Sequence, residues 1–131
     1  LADVRVAAAD ARIVFNEINK GIPTITGAAL MVPMASMSVI QDMVLSGRAM
    51  DGREACAAGI VSRVYEREQF LPGIAALGAT LASMSPVAVR LNKDYWRTLR
   101  GNSLAEAIAF GRKAHPVAFA ALAAAKKLQS A

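Results

Sequence analysis

One carboxylate, Glu17, has the position in the sequence that best suits chemistry. It lies in the segment FNEINKGIP at 15–23, after a run rich in β-branched residues and before a long run without charge. Apolar neighbours such as Phe15 and Ile22 would exclude water from it, and a partly desolvated carboxylate holds a proton nearer neutral pH, as a general acid or base must. A lone Glu in such a place is more often a solvated acid or an ion-pair partner. The residues by themselves therefore favour a surface role.

The other reactive residue types offer no second centre. His115 is the only histidine and Cys56 the only cysteine, so the paired spacings of a metal site are missing and a serine triad would depend on one histidine. No glycine-rich phosphate loop occurs. We expect His115 and the following Pro116 to cap or join helices, and Cys56 to fill a small gap in the core.

Composition places the chain among folded domains of modest size. Its 131 residues are 55% hydrophobic and carry a net charge of +5, which suits one core and not a disordered chain. Basic residues are spread along the chain and form no stripe with aromatic residues, so we expect no nucleic-acid partner. An RNA-binding role would require binding that falls steeply with salt. The single cysteine excludes an intrachain disulfide and favours a reducing, cytoplasmic location.

Two uncharged runs, 21–41 and 69–89, approach the length of a membrane-spanning helix. Prolines interrupt both runs, at Pro23 and Pro33 in the first and at Pro86 in the second. Because proline breaks a regular helix, we expect buried or interfacial segments and no membrane partner.

Hydrophobic patterns predict strands and a short helix around Glu17. Alternating or β-branched runs predict strands at 4–6, 12–15 and 60–65. One or two helical turns are predicted at 27–31. Glu17 then follows the end of a strand, where functional groups are often found.

Capping signals predict two further helices in the first half. One is expected to run from a serine cap at 36 or 38 through Leu45, with Gly47 ending it. The other is expected to begin at Asp51, whose spacing to Glu54 is that of a capping box in which each side chain bonds the other's backbone.

A series of helices is predicted for the second half of the chain. One apolar face repeats at intervals of four, three and four residues, formed by Phe70, Ile74, Leu77 and Leu81. Later helices are predicted from Pro86 to Leu99, from Leu104 to about Ala114 after a break at Gly101-Asn102, and beyond Pro116. Their alanine-rich faces need partners, either another subunit or one another.

Five segments stand in the order and at the separations of one enzyme family. The first two are ADVRVAA at 2–8, which resembles the family motif C-D-x-R-V-A, and FNEINKGIP at 15–23, which resembles F-x-x-P-E-x-x-x-G-x-x-P. The next two are VLSGR at 44–48, which resembles L-x-L-T-G-x, and EACAAGIVSRV at 54–64, which resembles E-A-x-x-x-G-L-V-x-x-V. The last is SPVAVRLNK at 85–93, which resembles S-P-x-A-x-x-x-x-K. Over nearly its whole length, the chain resembles the C-terminal portion of the crotonase superfamily, the enoyl-CoA hydratase/isomerase family.

The resemblance implies an α/β fold. The C-terminal part of a spiral of ββα turns would cover 1–66 and carry the Glu17 segment, and a helical oligomerisation region would cover 67–131. The implied assembly is a homotrimer or a dimer of trimers. The implied substrate is an acyl-CoA thioester, as in fatty acid metabolism, without a metal or redox cofactor. In this family two backbone N–H groups stabilise the thioester enolate in an oxyanion hole.

The resemblance also assigns roles to single residues. Glu17 occupies the position of one of two carboxylates that handle the proton and the water in hydratases, and often of the main proton shuttle in isomerases. Further implied contacts are with the substrate, by Ile22, Pro23 and Gly27, and with a CoA phosphate of a neighbouring subunit, by Lys126 or Lys127. We therefore expect an enoyl-CoA hydratase, a lyase, with an isomerase of the same family as the alternative.

The chain departs from the family pattern in two ways. Asn16 replaces the proline before the glutamate, and PTITG at 23–27 keeps one glycine of P-G-x-G-G, so we expect a different pocket wall. The family's oxyanion donors and its other hydratase carboxylate lie upstream of the strand with which this chain begins. A second hypothesis is therefore a non-catalytic fragment or assembly module.

Overall fold

Short strands and helices alternate in the first half of the chain, and long helices make up the second. The computed structural model describes residues 2–99 and 103–129. In chain order this part contains β1 (Val6–Ala8), β2 (Ile13–Val14), a 3-10 helix (Glu17–Lys20), α1 (Ile25–Met31), α2 (Met37–Ser46), β3 (Ala49–Met50), α3 (Gly52–Ala57), β4 (Arg63–Tyr65), α4 (Arg67–Ala82), α5 (Pro86–Leu99) and α6 (Ser103–Gln129). The predicted α/β class is confirmed.

The four strands form two separate pairs. β1 lies parallel to β4, with Ala7 opposite Val64, and β2 lies antiparallel to β3, with Ile13 opposite Met50. β1 begins two residues later than the pattern predicts. Sequence patterns do not predict β3 at all, because two residues are too few to show alternation.

The hydrophobic core belongs to the first half of the chain. Its buried members come from β1, β3, from helices α1 to α3 and from the turn before β4: Ala7, Met31, Ile40, Met43, Met50, Ala55, Ile60 and Val61. Met43 and Met50 are the largest fully buried side chains. Cys56 packs against this cluster, in agreement with its predicted role.

Local signals decide the ends of α2 and α3. Gly47 ends α2 in the left-handed conformation, with φ of 64°, and the Asp51 side chain accepts a hydrogen bond from the Glu54 backbone N–H at 2.8 Å. The expectation that the Glu54 side chain reaches back to Asp51 is wrong. Its carboxylate accepts from Arg48 at 2.6 and 3.0 Å, since a guanidinium is a stronger partner than a backbone N–H. Hydrogen bonds to Glu54 and then to Asp42 raise the pKa of Arg48 further above its usual value.

The long helices form no bundle of their own in the described part of the chain. α4 packs on β1 and β4, α6 packs on α1, and within the described residues the three helices α4 to α6 make at most marginal contact with one another. On the predicted face of α4, Leu77 is buried, whereas Ile74 and Leu81 remain exposed. No single helix of the described part is long and apolar enough to cross a membrane, although α4 and Pro86–Trp96 together, bent by 99°, meet the same criteria of length and composition.

α6 is one helix of 27 residues with Pro116 inside it. The expectation of two helices that meet near Ala114 and Pro116 is wrong. Pro116 has no N–H and removes one hydrogen bond from the helix, but the preceding part of α6 packs along α1. That packing compensates the lost bond. The expected break at Gly101-Asn102 lies outside the described residues.

Candidate active site

Glu17 begins the short 3-10 helix that follows β2, and it is half-buried. Asn16 precedes it without a side-chain cap, and Gly21 ends the helix in the left-handed conformation, with φ of 68°. The Ile22 N–H donates to the Glu17 carbonyl oxygen at 3.1 Å. This tight turn brings the chain back past Glu17 before α1 begins.

The Glu17 carboxylate is oriented by one neutral hydroxyl. Thr24 Oγ1 donates to Glu17 Oε2 at 3.1 Å, and Thr24 is 8% exposed. Within the described residues, no other hydrogen bond or ion pair engages this carboxylate. One oxygen is therefore held by Thr24, and Oε1 is available to a ligand. Such an oriented carboxylate can deliver or accept a proton.

The loop between Glu17 and α1 is tied to the distant helix α6 by His115. Its Nε2 lies 3.1 Å from the Pro23 carbonyl oxygen, and because a carbonyl only accepts, Nε2 carries the proton. One turn earlier, the buried Gly111 meets α1, where a Cβ would stand 3.5 Å from Thr26 Oγ1. The expectation that His115 caps or joins helices is wrong, since it lies inside α6.

The predicted substrate contacts lie in the same segment as Glu17. Ile22 and Pro23 are half-buried in the loop, and Gly27 is in the first turn of α1. A Cβ on Gly27 would stand 2.7 Å from Cε1 of Phe15, so an aromatic ring occupies that side of the helix. Contact of these residues with substrate stays a prediction.

Lys126, one of the two predicted CoA-phosphate contacts, lies away from this loop. Lys126 is exposed on α6, and it follows His115 by 11 residues, or about 16 Å of helix. The side chain of Lys127 lies outside the described part of the structure. Phosphate binding by either lysine stays a prediction. Across 2–99 and 103–129, no three His, Cys, Asp or Glu side chains group so as to hold a metal ion.

Two residues of the site, Thr24 and His115, are not predicted from the sequence. Thr24 is an ordinary polar residue seven positions beyond Glu17, and no spacing rule joins the two. His115 is 92 positions from its partner Pro23. Only its being the single histidine of the chain could have drawn attention to it.

A family model and two related proteins indicate the family that the sequence motifs resemble. The family model for enoyl-CoA hydratase/isomerase matches residues 1–130. A probable enoyl-CoA hydratase of Mycobacterium bovis is 31% identical over 121 residues, which are 92% of this chain and 47% of that protein. The human mitochondrial Delta(3,5)-Delta(2,4)-dienoyl-CoA isomerase is 32% identical over 109 residues, which are 81% of this chain and 33% of that protein.

A solved structure supports the fold. The crystal structure of an enoyl-CoA hydratase/isomerase family protein from Pseudomonas syringae matches with a TM-score of 0.73 at 25% identity, over 87% of this chain and 50% of that one. The chain thus spans half or less of the length of each of these relatives. The five ordered motifs, the family model and the shared fold agree, and the chain belongs to the enoyl-CoA hydratase/isomerase family of the crotonase superfamily.

Proposed function

We propose that this chain takes part in enoyl-CoA hydration, with Glu17 as the general acid or base. One observation carries the proposal: Glu17 is half-buried, and Thr24 orients its carboxylate through one oxygen. The other oxygen has no partner within the described residues. A catalytic carboxylate needs both a defined direction and a free atom for the proton.

In the proposed reaction, water adds across the double bond of a 2-enoyl-CoA. The water oxygen bonds to the carbon farther from the thioester, and Glu17 delivers a proton to the carbon next to the thioester carbonyl. The proton that the water loses returns to the Glu17 carboxylate. The intermediate is a thioester enolate, which hydrogen-bond donors stabilise. The addition of water is neither an oxidation nor a reduction overall, so the proposal needs no redox cofactor, and no metal ion is part of it.

An isomerase is the second candidate, because the human relative carries that name at 32% identity. In isomerisation, Glu17 would remove a proton from one carbon of the acyl chain and return it to another. A carboxylate with one anchored oxygen suits both reactions equally. Only the products distinguish them.

We also propose a homotrimer or a dimer of trimers, assembled through residues 67–131. Exposed apolar side chains in this region support the proposal, with Val87, Leu91 and Tyr95 on one face of α5 at 56%, 60% and 62% exposure. Contacts of Lys126 or Lys127 with a neighbour's CoA phosphate would belong to such an assembly. A cytoplasmic location is part of the same proposal.

The substitution Glu17→Gln tests the role of the carboxylate. Gln keeps the shape of the side chain and cannot exchange the proton, so we expect kcat to fall by about 10²–10⁴-fold with KM retained. The assay follows loss of the enoyl thioester from crotonyl-CoA, and a 3-enoyl-CoA serves as the isomerase substrate. Glu68→Gln, at an exposed position in the first turn of α4, is the matched control.

Two results would count against the proposal. Full activity of the Glu17→Gln protein would remove Glu17 from the mechanism. Binding of acyl-CoA by the wild-type chain without turnover of either substrate would favour the non-catalytic assembly module.

A further inference from the structure

We propose that His115 is a positioning residue for Glu17: from α6 it holds the Pro23 carbonyl and so directs the Thr24 hydroxyl at the carboxylate. The inference rests on the proposed function of Glu17 and adds a residue from the far end of the chain to that site. The link has three steps: the bond from His115 to Pro23, the peptide unit that joins Pro23 to Thr24, and the bond from Thr24 to Glu17.

The first step is the anchor on α6. His115 is half-buried, and its Nε2–H donates to the Pro23 carbonyl oxygen at 3.1 Å. The helix that carries it lies close against α1 at Gly111, and the Phe119 ring stands 6.3 Å from the imidazole, centroid to centroid. The imidazole is therefore held from a helix and not from a loop.

The second step passes through one peptide plane. The Pro23 carbonyl and the Thr24 N–H belong to the same planar unit, so a fixed carbonyl oxygen restricts the direction in which Thr24 leaves it. Threonine is branched at Cβ and has few χ1 rotamers. Thr24 is also buried, which removes the space for alternative rotamers. A fixed backbone at Thr24 therefore means a fixed hydroxyl.

The third step is the hydroxyl itself. Thr24 Oγ1 is the one hydrogen-bond donor to the Glu17 carboxylate within the described residues. The local backbone bond from Ile22 to Glu17 fixes the turn, but it does not touch the carboxylate. The orientation of the carboxylate thus depends on Thr24, and the orientation of Thr24 depends on His115.

Two substitutions of His115 separate positioning from simple packing. His115→Gln places an amide N–H near the position of Nε2, whereas His115→Asn ends near the position of Nδ1 and cannot reach Pro23. Both are neutral amides in the same helix, and each is also made in a Thr24→Val background. The readouts on the 131-residue chain are the ¹³C shift of the Glu17 carboxyl carbon by NMR, and kcat and KM with crotonyl-CoA.

We expect His115→Asn to move the Glu17 carboxyl signal to its position in Thr24→Val, and to lower kcat about 10-fold or more at constant KM, since small misplacements of a catalytic group are costly. His115→Gln should retain both signal and kcat. In the Thr24→Val background, His115→Asn should cause no further loss, because the two residues act in one chain of contacts.

Several results would overturn the proposal. One is an unchanged Glu17 carboxyl signal in folded His115→Asn protein. Others are equal effects of Gln and Asn, or additive losses with Thr24→Val. If His115→Asn does not fold, the absence of a scalar coupling between His115 Nε2 and the Pro23 carbonyl carbon in wild-type protein overturns it as well. A wild-type chain without turnover would refute the proposed function, while the carboxyl signals would still decide the positioning.

Discussion

Glu17 and Arg48 show two ways in which this chain holds a charged side chain. The Arg48 guanidinium is paired with two carboxylates, of Asp42 and Glu54, and the pairing neutralises it. Glu17 receives one bond from the neutral hydroxyl of Thr24, and no cation pairs with it in the described part of the chain. A hydroxyl sets the direction of a carboxylate without cancelling its charge, which is what proton transfer requires.

Gly27 and Gly78 provide a matched pair at the residue scale. A Cβ on Gly27 would overlap the Phe15 ring at 2.7 Å, whereas a Cβ on Gly78 would meet nothing within 4 Å. Both lie in helices, where Ala gains about 0.5–1 kcal/mol over Gly. We expect Gly78→Ala to raise the free energy of unfolding by that amount. Gly27→Ala should lower it, because overpacking costs about 1–3 kcal/mol.

Urea denaturation of both proteins measures the difference. If Gly27→Ala is stabilised as much as Gly78→Ala, the Phe15 ring moves aside without cost and does not define that wall of the site.

At the scale of elements, the N-terminal cap of α3 leads to a prediction about stability. The Asp51 side chain accepts from the Glu54 N–H, whereas Ser36 precedes α2 without a side-chain cap bond. We expect Asp51→Ala to lower the free energy of unfolding by about 1 kcal/mol. Ser36→Ala should change it by less than about 0.5 kcal/mol, as exposed substitutions usually do.

Thermal unfolding followed by circular dichroism compares the two variants. Equal losses for Asp51→Ala and Ser36→Ala would show that the Asp51 cap contributes nothing beyond an ordinary surface residue.

The elements also show which parts of the fold follow from local sequence. Gly47 and Asp51 are predicted correctly because the conformation and the hydrogen bond that they provide are local. The continuation of α6 through Pro116 is not predicted, because it depends on packing against α1 from the other half of the chain. The short β3 also depends on a distant partner, β2. Rules based on neighbouring residues fail where contacts between distant residues determine the structure.

The residues of the site also differ in whether local sequence identifies them. Glu17 is identified by its family motif, which is a contiguous segment. The bond from Thr24 to Glu17 depends on the course of a turn, and the bond from His115 to Pro23 depends on the folded arrangement of two helices. No residue spacing in the sequence predicts the turn or the arrangement of the helices.

At the scale of the whole molecule, the proposed assembly predicts that a charge introduced on α5 dissociates the oligomer, whereas the same charge on α2 does not. Leu91 on α5 and Leu45 at the end of α2 are both exposed, at 60% and 70%. If residues 67–131 form the subunit interface, Leu91→Glu buries an unpaired charge in it, which is unfavourable. We expect Leu91→Glu to dissociate the oligomer and Leu45→Glu to leave it intact.

Sedimentation velocity over a range of protein concentrations gives the subunit number of each protein. The same sedimentation coefficient for wild-type and Leu91→Glu protein would exclude this face of α5 from the interface. Trp96 is the only tryptophan of the chain and is exposed on α5, so its fluorescence provides an independent probe of burial.

The bond from His115 to Pro23 also has a consequence for the order of events during synthesis. Ribosomes add about 5–20 residues per second, so the 92 positions between the partners correspond to roughly 5–20 s of elongation. The buried core of 7–61 is complete in sequence well before His115 is made. A nascent chain can thus fold around that core while the loop beside Glu17 still lacks its anchor, so the site is completed only after the core.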